Sequence, residues 1–221
     1  GCGKSYLTFA LHHLLTVIHE RQVAIIGLDL KTDVVKHCNS VGEKLGCVGL
    51  RFVAGDMTSY SPADGVDLSV SLHACDTATD VALARAVAWQ ASVILSVPCC
   101  HHELAASISH SALAPVQRFG ILHERLAETA TDGLRATLLE LAGYRTQVLE
   151  FISLEHTPKN LLIRATRRPI PVDTSALAVE YAAAKRLLGI ESFELERLLS
   201  ALPVINDKLS VGDLATTRSV E

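Results

Sequence analysis

Two short runs of cysteine and histidine carry most of the chemistry this chain could perform. They are His73-Ala74-Cys75-Asp76 and Pro98-Cys99-Cys100-His101-His102, and each follows an apolar run of strand length. Histidine titrates near neutrality and suits removal of a proton from an acceptor. Cysteine and histidine in this number could also fill a tetrahedral zinc shell. A third reading is structural, with cysteines packing as small apolar residues and histidines at a helix start. Adjacent Cys-Cys-His-His lacks the spacing of the usual zinc signatures, so no metal is expected. His73, Cys75, Asp76, Cys99, Cys100, His101 and His102 are therefore the candidate catalytic set. Past Pro98 the chain must leave the sheet, so His101 and His102 are expected to face an open cleft.

A second set lies upstream. Gly1-Cys2-Gly3 allows a tight turn with close backbone approach, opening onto a helix N-terminus. Lys4-Ser5 also matches the end of a Walker A loop. Asp29 closes the next apolar run, where a carboxylate can accept hydrogen bonds from ribose hydroxyls; it could equally serve the start of the following helix. Asp56 closes the third run and could meet an adenine amino group, or simply serve the turn after Gly55. The linker Glu155-His156-Thr157-Pro158-Lys159-Asn160 is a hairpin connection that could also form a lip over substrate, with Lys159 available to an anion.

The elements that must position these residues alternate. Apolar spacing predicts a helix over 5–21, a strand over 23–30, and a helix over 32–45 with Thr32 as its cap and Gly46 as its stop. Strands are predicted over 50–53, 66–72 and 92–97, with a helix over 77–90 between the last two. A longer helix covers 119–142. Strands over 145–152 and 160–165 then follow, joined by a link too short for a helical crossover, so they should pair antiparallel. Two helices split near Gly189 occupy 175–202. Pro169 and Pro171 suggest a boundary between a sheet domain, 1–168, and a helical extension, 169–221. The fold class is α/β, a doubly wound, mostly parallel sheet whose polar strand ends form a nucleotide-type site. The chain starts at Gly, with no strand before its glycine loop, which reads as a fragment lacking its first strand and whatever preceded it.

Bulk properties exclude several classes. The 221 residues are 49% hydrophobic and 20% charged, which is globular rather than disordered. A net charge of -4 gives no basic field toward nucleic acid, although it does not veto RNA. No apolar run reaches membrane-spanning length, so no membrane partner is expected. The six cysteines lack the framework of a small secreted protein, and reduced cytoplasmic thiols are the reading.

The runs Gly-Cys-Gly-Lys-Ser-Tyr-Leu at 1–7, Leu-His-Ala-Cys-Asp-Thr-Ala-Thr-Asp at 72–80 and Pro-Cys-Cys-His-His-Glu-Leu at 98–104 resemble a methyltransferase-domain family. That family is shared by animal methyltransferase-like proteins and bacterial relatives. The same runs are similar to the catalytic domain of the tRNA 2′-O-methyltransferases of the acceptor stem. The resemblance covers about residues 1–168. It implies a Rossmann-like class I methyltransferase fold and S-adenosyl-L-methionine as cofactor. It places Gly1, Cys2 and Gly3 at the amino-acid end of the cofactor, Asp29 with Leu30 at the ribose, and Asp56 with Met57 near the adenine. His73 falls near the methionine end of the donor, and the two Cys/His runs form the mouth for methyl transfer. Ser5 stands where many methyltransferases carry a third glycine. The expected activity is methylation of RNA (tRNA or rRNA), with a ribose hydroxyl as acceptor. Small-molecule or protein methylation, P-loop nucleotide hydrolysis, and a catalytically inactive binding module are the alternatives.

Overall fold

The computed structural model describes residues 1–72, 74–152 and 160–202. The chain forms two compact units, Gly1–Ser61 and Pro62–Glu221.

In the first unit, the loop at residues 1–5 leads into α1 (Tyr6–His13), which passes into a π-helical turn, Leu14–Ile18. The α-helix is thus shorter than the periodicity over 5–21 predicts. Thr16 Oγ1 donates to the His12 carbonyl at 2.8 Å, a side-chain bond that competes with the helical ladder where three β-branched residues follow one another. β1 (Ile25–Asp29), α2 (Thr32–Lys44) and β2 (Leu50–Ala54) complete the unit. β1 and β2 pair in parallel, from Ile25 opposite Leu50 to Asp29 opposite Ala54. Thr32 is already the first helical residue of α2 and makes no side-chain cap; Lys31 precedes it in extended conformation.

A small core of Val35, Cys38 and Phe52 holds α2 on this pair, joined by Phe9, whose ring centroid lies 5.6 Å from that of Phe52. Gly27 is fixed by this packing, because a Cβ there would overlap the Phe52 ring. Asn39 on α2 donates to the Phe52 carbonyl at 2.9 Å and accepts from the Phe52 N–H at 2.8 Å. Its amide completes a backbone pair on β2 as a neighbouring strand would.

The second unit contains a four-stranded sheet in the order β3-β4-β6-β5. β3 (Leu68–Leu72) and β4 (Val93–Val97) are parallel, and α3 (Thr77–Ala88) connects them. β5 (Tyr144–Glu150) and β6 (Leu161–Arg167) form an antiparallel pair, and β6 is inserted antiparallel beside β4. A parallel α/β start closed by an inserted antiparallel strand is the class I methyltransferase arrangement, as expected from the alternation of elements.

Between β4 and β5 lie α4 (His102–Ser107), a 3₁₀ turn (Ser111–Leu113), α5 (Ala114–Gln117) and the long α6 (Gly120–Leu141). The short pieces before α6 are too brief for a 3.6-residue period to reveal them. α7 (Ser175–Leu188) and α8 (Glu194–Ser200) are separated at Gly189, whose φ of 70° ends α7 in the left-handed conformation. Leu83, Ile94, Leu138, Ile163, Tyr181 and Leu195 share one buried cluster, so the helices beyond Pro171 pack into the sheet's own core. Among the described residues, no helix is long and apolar enough to cross a membrane.

Candidate active site

The glycine loop is tied to the end of β1. The Cys2 N–H donates to the Leu28 carbonyl at 2.8 Å, and the Gly3 N–H donates to Asp29 Oδ2 at 2.9 Å. Asp29 Oδ1 accepts the Lys31 N–H at 2.9 Å. One buried carboxylate therefore clamps the loop and the start of α2 together. Burial pushes the Asp29 carboxyl up, but the Lys31 and Gly3 N–H groups outweigh it and hold it below the usual carboxylate range. Gly3 has φ of 52°, and neither Gly1 nor Gly3 has anything within 4 Å of where a Cβ would lie. A ligand could approach this backbone directly.

Beside Asp29, Leu30 is 72% exposed, an apolar platform at the strand end. Asp56 is exposed and Met57 half-buried. Asp56 Oδ1 accepts the Thr58 N–H at 2.8 Å, which lowers the carboxyl pKa and shapes the turn after β2. Gly1, Cys2, Gly3, Asp29, Leu30, Asp56 and Met57 all belong to the first unit.

In the second unit the parallel register sets Leu72 opposite Val97, so the two Cys/His runs leave the sheet side by side. The Cys75, Cys99 and Cys100 sulfurs all lie within 4.8 Å of one another, with Cys99 and Cys100 Sγ 3.6 Å apart. Burial, reinforced by Cys100 and Cys75, pushes the Cys99 thiol up to about 12. Asp76 Oδ1 accepts the Glu103 N–H at 3.2 Å and so caps the start of α4. This bond stitches the first run to the second. Asp76 itself has φ of 50°. Thr79 Oγ1 donates to the Ala74 carbonyl, closing the loop from within.

The histidines separate. His102 is exposed at the first turn of α4. His101 does not face an open cleft: it is buried, and its Nε2 lies 3.0 Å from Asp132 Oδ1 on α6. The reason is that α4 begins at once after Pro98-Cys99-Cys100 and lies against α6. His101 Nδ1 is buried with no hydrogen-bond partner among the described residues. His73 and Lys159 lie outside the described residues. Of the connection at 155–160 only Asn160 is described; it is buried and its Nδ2 donates to the Ile152 carbonyl at 2.8 Å.

Sequence reasoning missed the polar network beneath these runs. Arg135 of α6, 1% exposed, grips Asp80 of α3 through Nε–Oδ1 and Nη2–Oδ2 contacts of 2.8 Å each. Its Nη1 donates to Asp132 Oδ1 at 3.3 Å and its Nη2 to the Asp76 carbonyl at 3.2 Å. Burial alone would lower the Arg135 pKa; pairing with Asp80 and Asp132 raises it instead, so the guanidinium stays charged. Burial pushes the Asp80 carboxyl up against that pairing, but the fork of two N–H donors beside a permanent cation keeps it ionised. The signal was present in the sequence. Asp132 and Arg135 fall at i and i+3 of a stripe of α6 that continues to Leu139 at i+7, where charge is out of place unless paired.

A family model described as a methyltransferase domain matches residues 1–107, which include the glycine loop and both Cys/His runs. That segment is similar to this family over just under half of the chain; the chain is a methyltransferase, and S-adenosylmethionine is its cofactor. No curated protein matches the chain. Among solved structures it is similar to the magnesium protoporphyrin IX methyltransferase of Synechocystis PCC 6803, solved with bound SAH. There the identity is 14% and the TM-score 0.43, over 76% of this chain and 72% of that one. It is also similar to the YcgJ protein of Bacillus subtilis, at 12% identity and a TM-score of 0.43, over 77% of this chain and 90% of that one.

Proposed function

We propose that the chain is an S-adenosylmethionine-dependent methyltransferase acting on RNA, with a ribose 2′-hydroxyl as acceptor. The observation that carries methyl transfer over nucleotide hydrolysis is the direction of the loop's donors. The Cys2 and Gly3 N–H groups are spent on Leu28 and Asp29, whereas a Walker loop must aim such groups at phosphate. Ser5 is buried and its hydroxyl donates to the Cys2 and Gly3 carbonyls at 3.2 and 3.3 Å, rather than standing ready for a magnesium ion.

The residues of the first unit fit the cofactor. The backbone is open at Gly1 and Gly3, Asp29 keeps acceptor capacity on both oxygens beyond the two N–H groups it holds, and Leu30 offers an apolar face. Bound there, the cofactor supplies an electrophilic methyl group. The chain's own contribution is alignment, which in an in-line displacement supplies much of the acceleration. It also takes up the acceptor's proton. His102, exposed on the second Cys/His run, is the group for that task. His101, pinned to Asp132, positions the run that carries it. The RNA reading rests on the resemblance of the runs at 72–80 and 98–104 to acceptor-stem ribose methyltransferases; the net charge of -4 adds nothing to it.

The test has two parts. Calorimetry on the full-length protein should show binding of S-adenosylmethionine and none of ATP. Labelled methyl groups offered with total tRNA and rRNA should then appear in alkali-resistant dinucleotides, the mark of ribose methylation. Label in a base, a protein or a small molecule would keep the enzyme class and overturn the acceptor.

A further inference from the structure

We infer that Cys75, Cys99 and Cys100 form a three-thiolate site for a thiophilic divalent cation of the zinc type. The sequence argues against a metal, because Cys99 and Cys100 are adjacent and no partner pair stands at a zinc spacing. The tertiary structure changes the donor set. β3 and β4 are parallel neighbours in register, so Cys75, three residues past β3, meets the two cysteines that follow β4. All three sulfurs fall within 4.8 Å of one another, and this is the group among the described residues that meets a metal-ligand geometry.

The distances suit the chemistry. Zinc–thiolate bonds of about 2.3 Å at tetrahedral angles place sulfurs about 3.8 Å apart. Cys99 and Cys100 are already 3.6 Å apart, and Cys75 is within 4.8 Å of both. Cys75 is exposed while Cys99 and Cys100 are half-buried, which leaves an entry path from solvent on one side and a protein wall on the other. The frame is rigid: Pro98 is buried, and Asp76 beside Cys75 is bonded to the Glu103 N–H. His101 falls outside this cluster of donors, and its Nε2 is held by Asp132.

Binding is balanced by proton release. Three thiols lose three protons, three metal–sulfur bonds form, and no electron changes hands. Three protein donors leave a fourth position to solvent, the pattern of an open site rather than a closed structural one. The residues that fit the cofactor lie in the first unit and include none of the three cysteines.

The full-length protein, reduced and stripped with a chelator, is titrated with Cd²⁺ and then with Zn²⁺ as competitor. One equivalent per chain should bind with a thiolate-to-cadmium charge-transfer band, and protons should be released into dilute buffer. Cys75→Ser, at an exposed position, should weaken Cd²⁺ binding at least about tenfold, since even partners behind the ligands are worth that much. Cys99→Ser should do the same, while Cys47→Ser leaves stoichiometry and band intact. No band in the reduced protein overturns the site, as does a band that survives loss of both Cys75 and Cys99. A protein isolated two hydrogens light, which regains them with reductant yet takes up no Cd²⁺, would also overturn it.

Discussion

The Asp76 carboxylate accepts the backbone N–H of Glu103 at 3.2 Å, joining the run after β3 to the helix that opens from the run after β4. One carboxylate thus sets the spacing between Cys75 on its own loop and the cysteines that precede α4. Asp76 does this from a left-handed conformation, φ 50°, where most side chains are strained.

That geometry separates two substitutions. Asp76→Ala loses the cap and keeps the strain, at a cost of about 0.5–2 kcal/mol. Asp76→Gly loses the same cap but relieves the backbone, and should be more stable than Asp76→Ala by about 0.4–1 kcal/mol. Urea denaturation of both variants checks the order.

Arg135 and Asp80 are the buried pair on which the second unit's polar network rests. Asp80→Ala should cost about 3–5 kcal/mol, because it removes the carboxylate that takes two of the buried guanidinium's donors and leaves only the longer carboxylate contact, to Asp132. Replacing both, as Asp80→Leu with Arg135→Met, should recover much of that loss in denaturant melts. The double variant should still disturb the loop at Asp76, whose carbonyl Arg135 also holds.

Asp29→Ala should weaken S-adenosylmethionine binding by about 1.5–3 kcal/mol, the scale of hydrogen bonds to a charged group. Calorimetry reads this directly, and unchanged affinity in a folded variant removes Asp29 from the cofactor site.

The depressed pKa of Asp29 also fixes a pH window. The folded carboxyl titrates below its unfolded value, so its contribution to stability is present above the ordinary carboxylate pKa and fades as pH falls through the folded one. Asp29→Asn should therefore narrow its stability deficit against the parent in acid and show the full deficit at neutral pH.

His102→Ala should lower turnover on a confirmed RNA substrate by about a hundredfold or more, with cofactor affinity unchanged. His101→Ala acts differently: it leaves Asp132 without one of its partners, so it should lower the melting temperature as well as turnover. Full turnover in His102→Ala would leave alignment alone to drive the reaction.

Much of this protein could be read from sequence because its signals are local. The buried strand ending in Asp29, the stop of α2 near Gly46 and the short link forcing β5 and β6 antiparallel depend on residues close in the chain. The Cys/His runs were recognisable as chemistry for the same reason. What only the tertiary structure decided involves residues far apart in sequence. His101 and His102 are neighbours in the chain with equal claims on paper, yet Asp132, thirty-one residues on, buries one and leaves the other in solvent. Cys75 has no spacing that links it to Cys99 and Cys100; a parallel strand register brings them together. Asp29 was legible as an acid at a strand end, but its role as the clamp on Gly3 depends on a loop folding back across twenty-six residues. Periodicity reports which face of an element is buried. It carries no record of which side chain waits on the other side, and that pairing is what sets charge, ligand sets and proton acceptors.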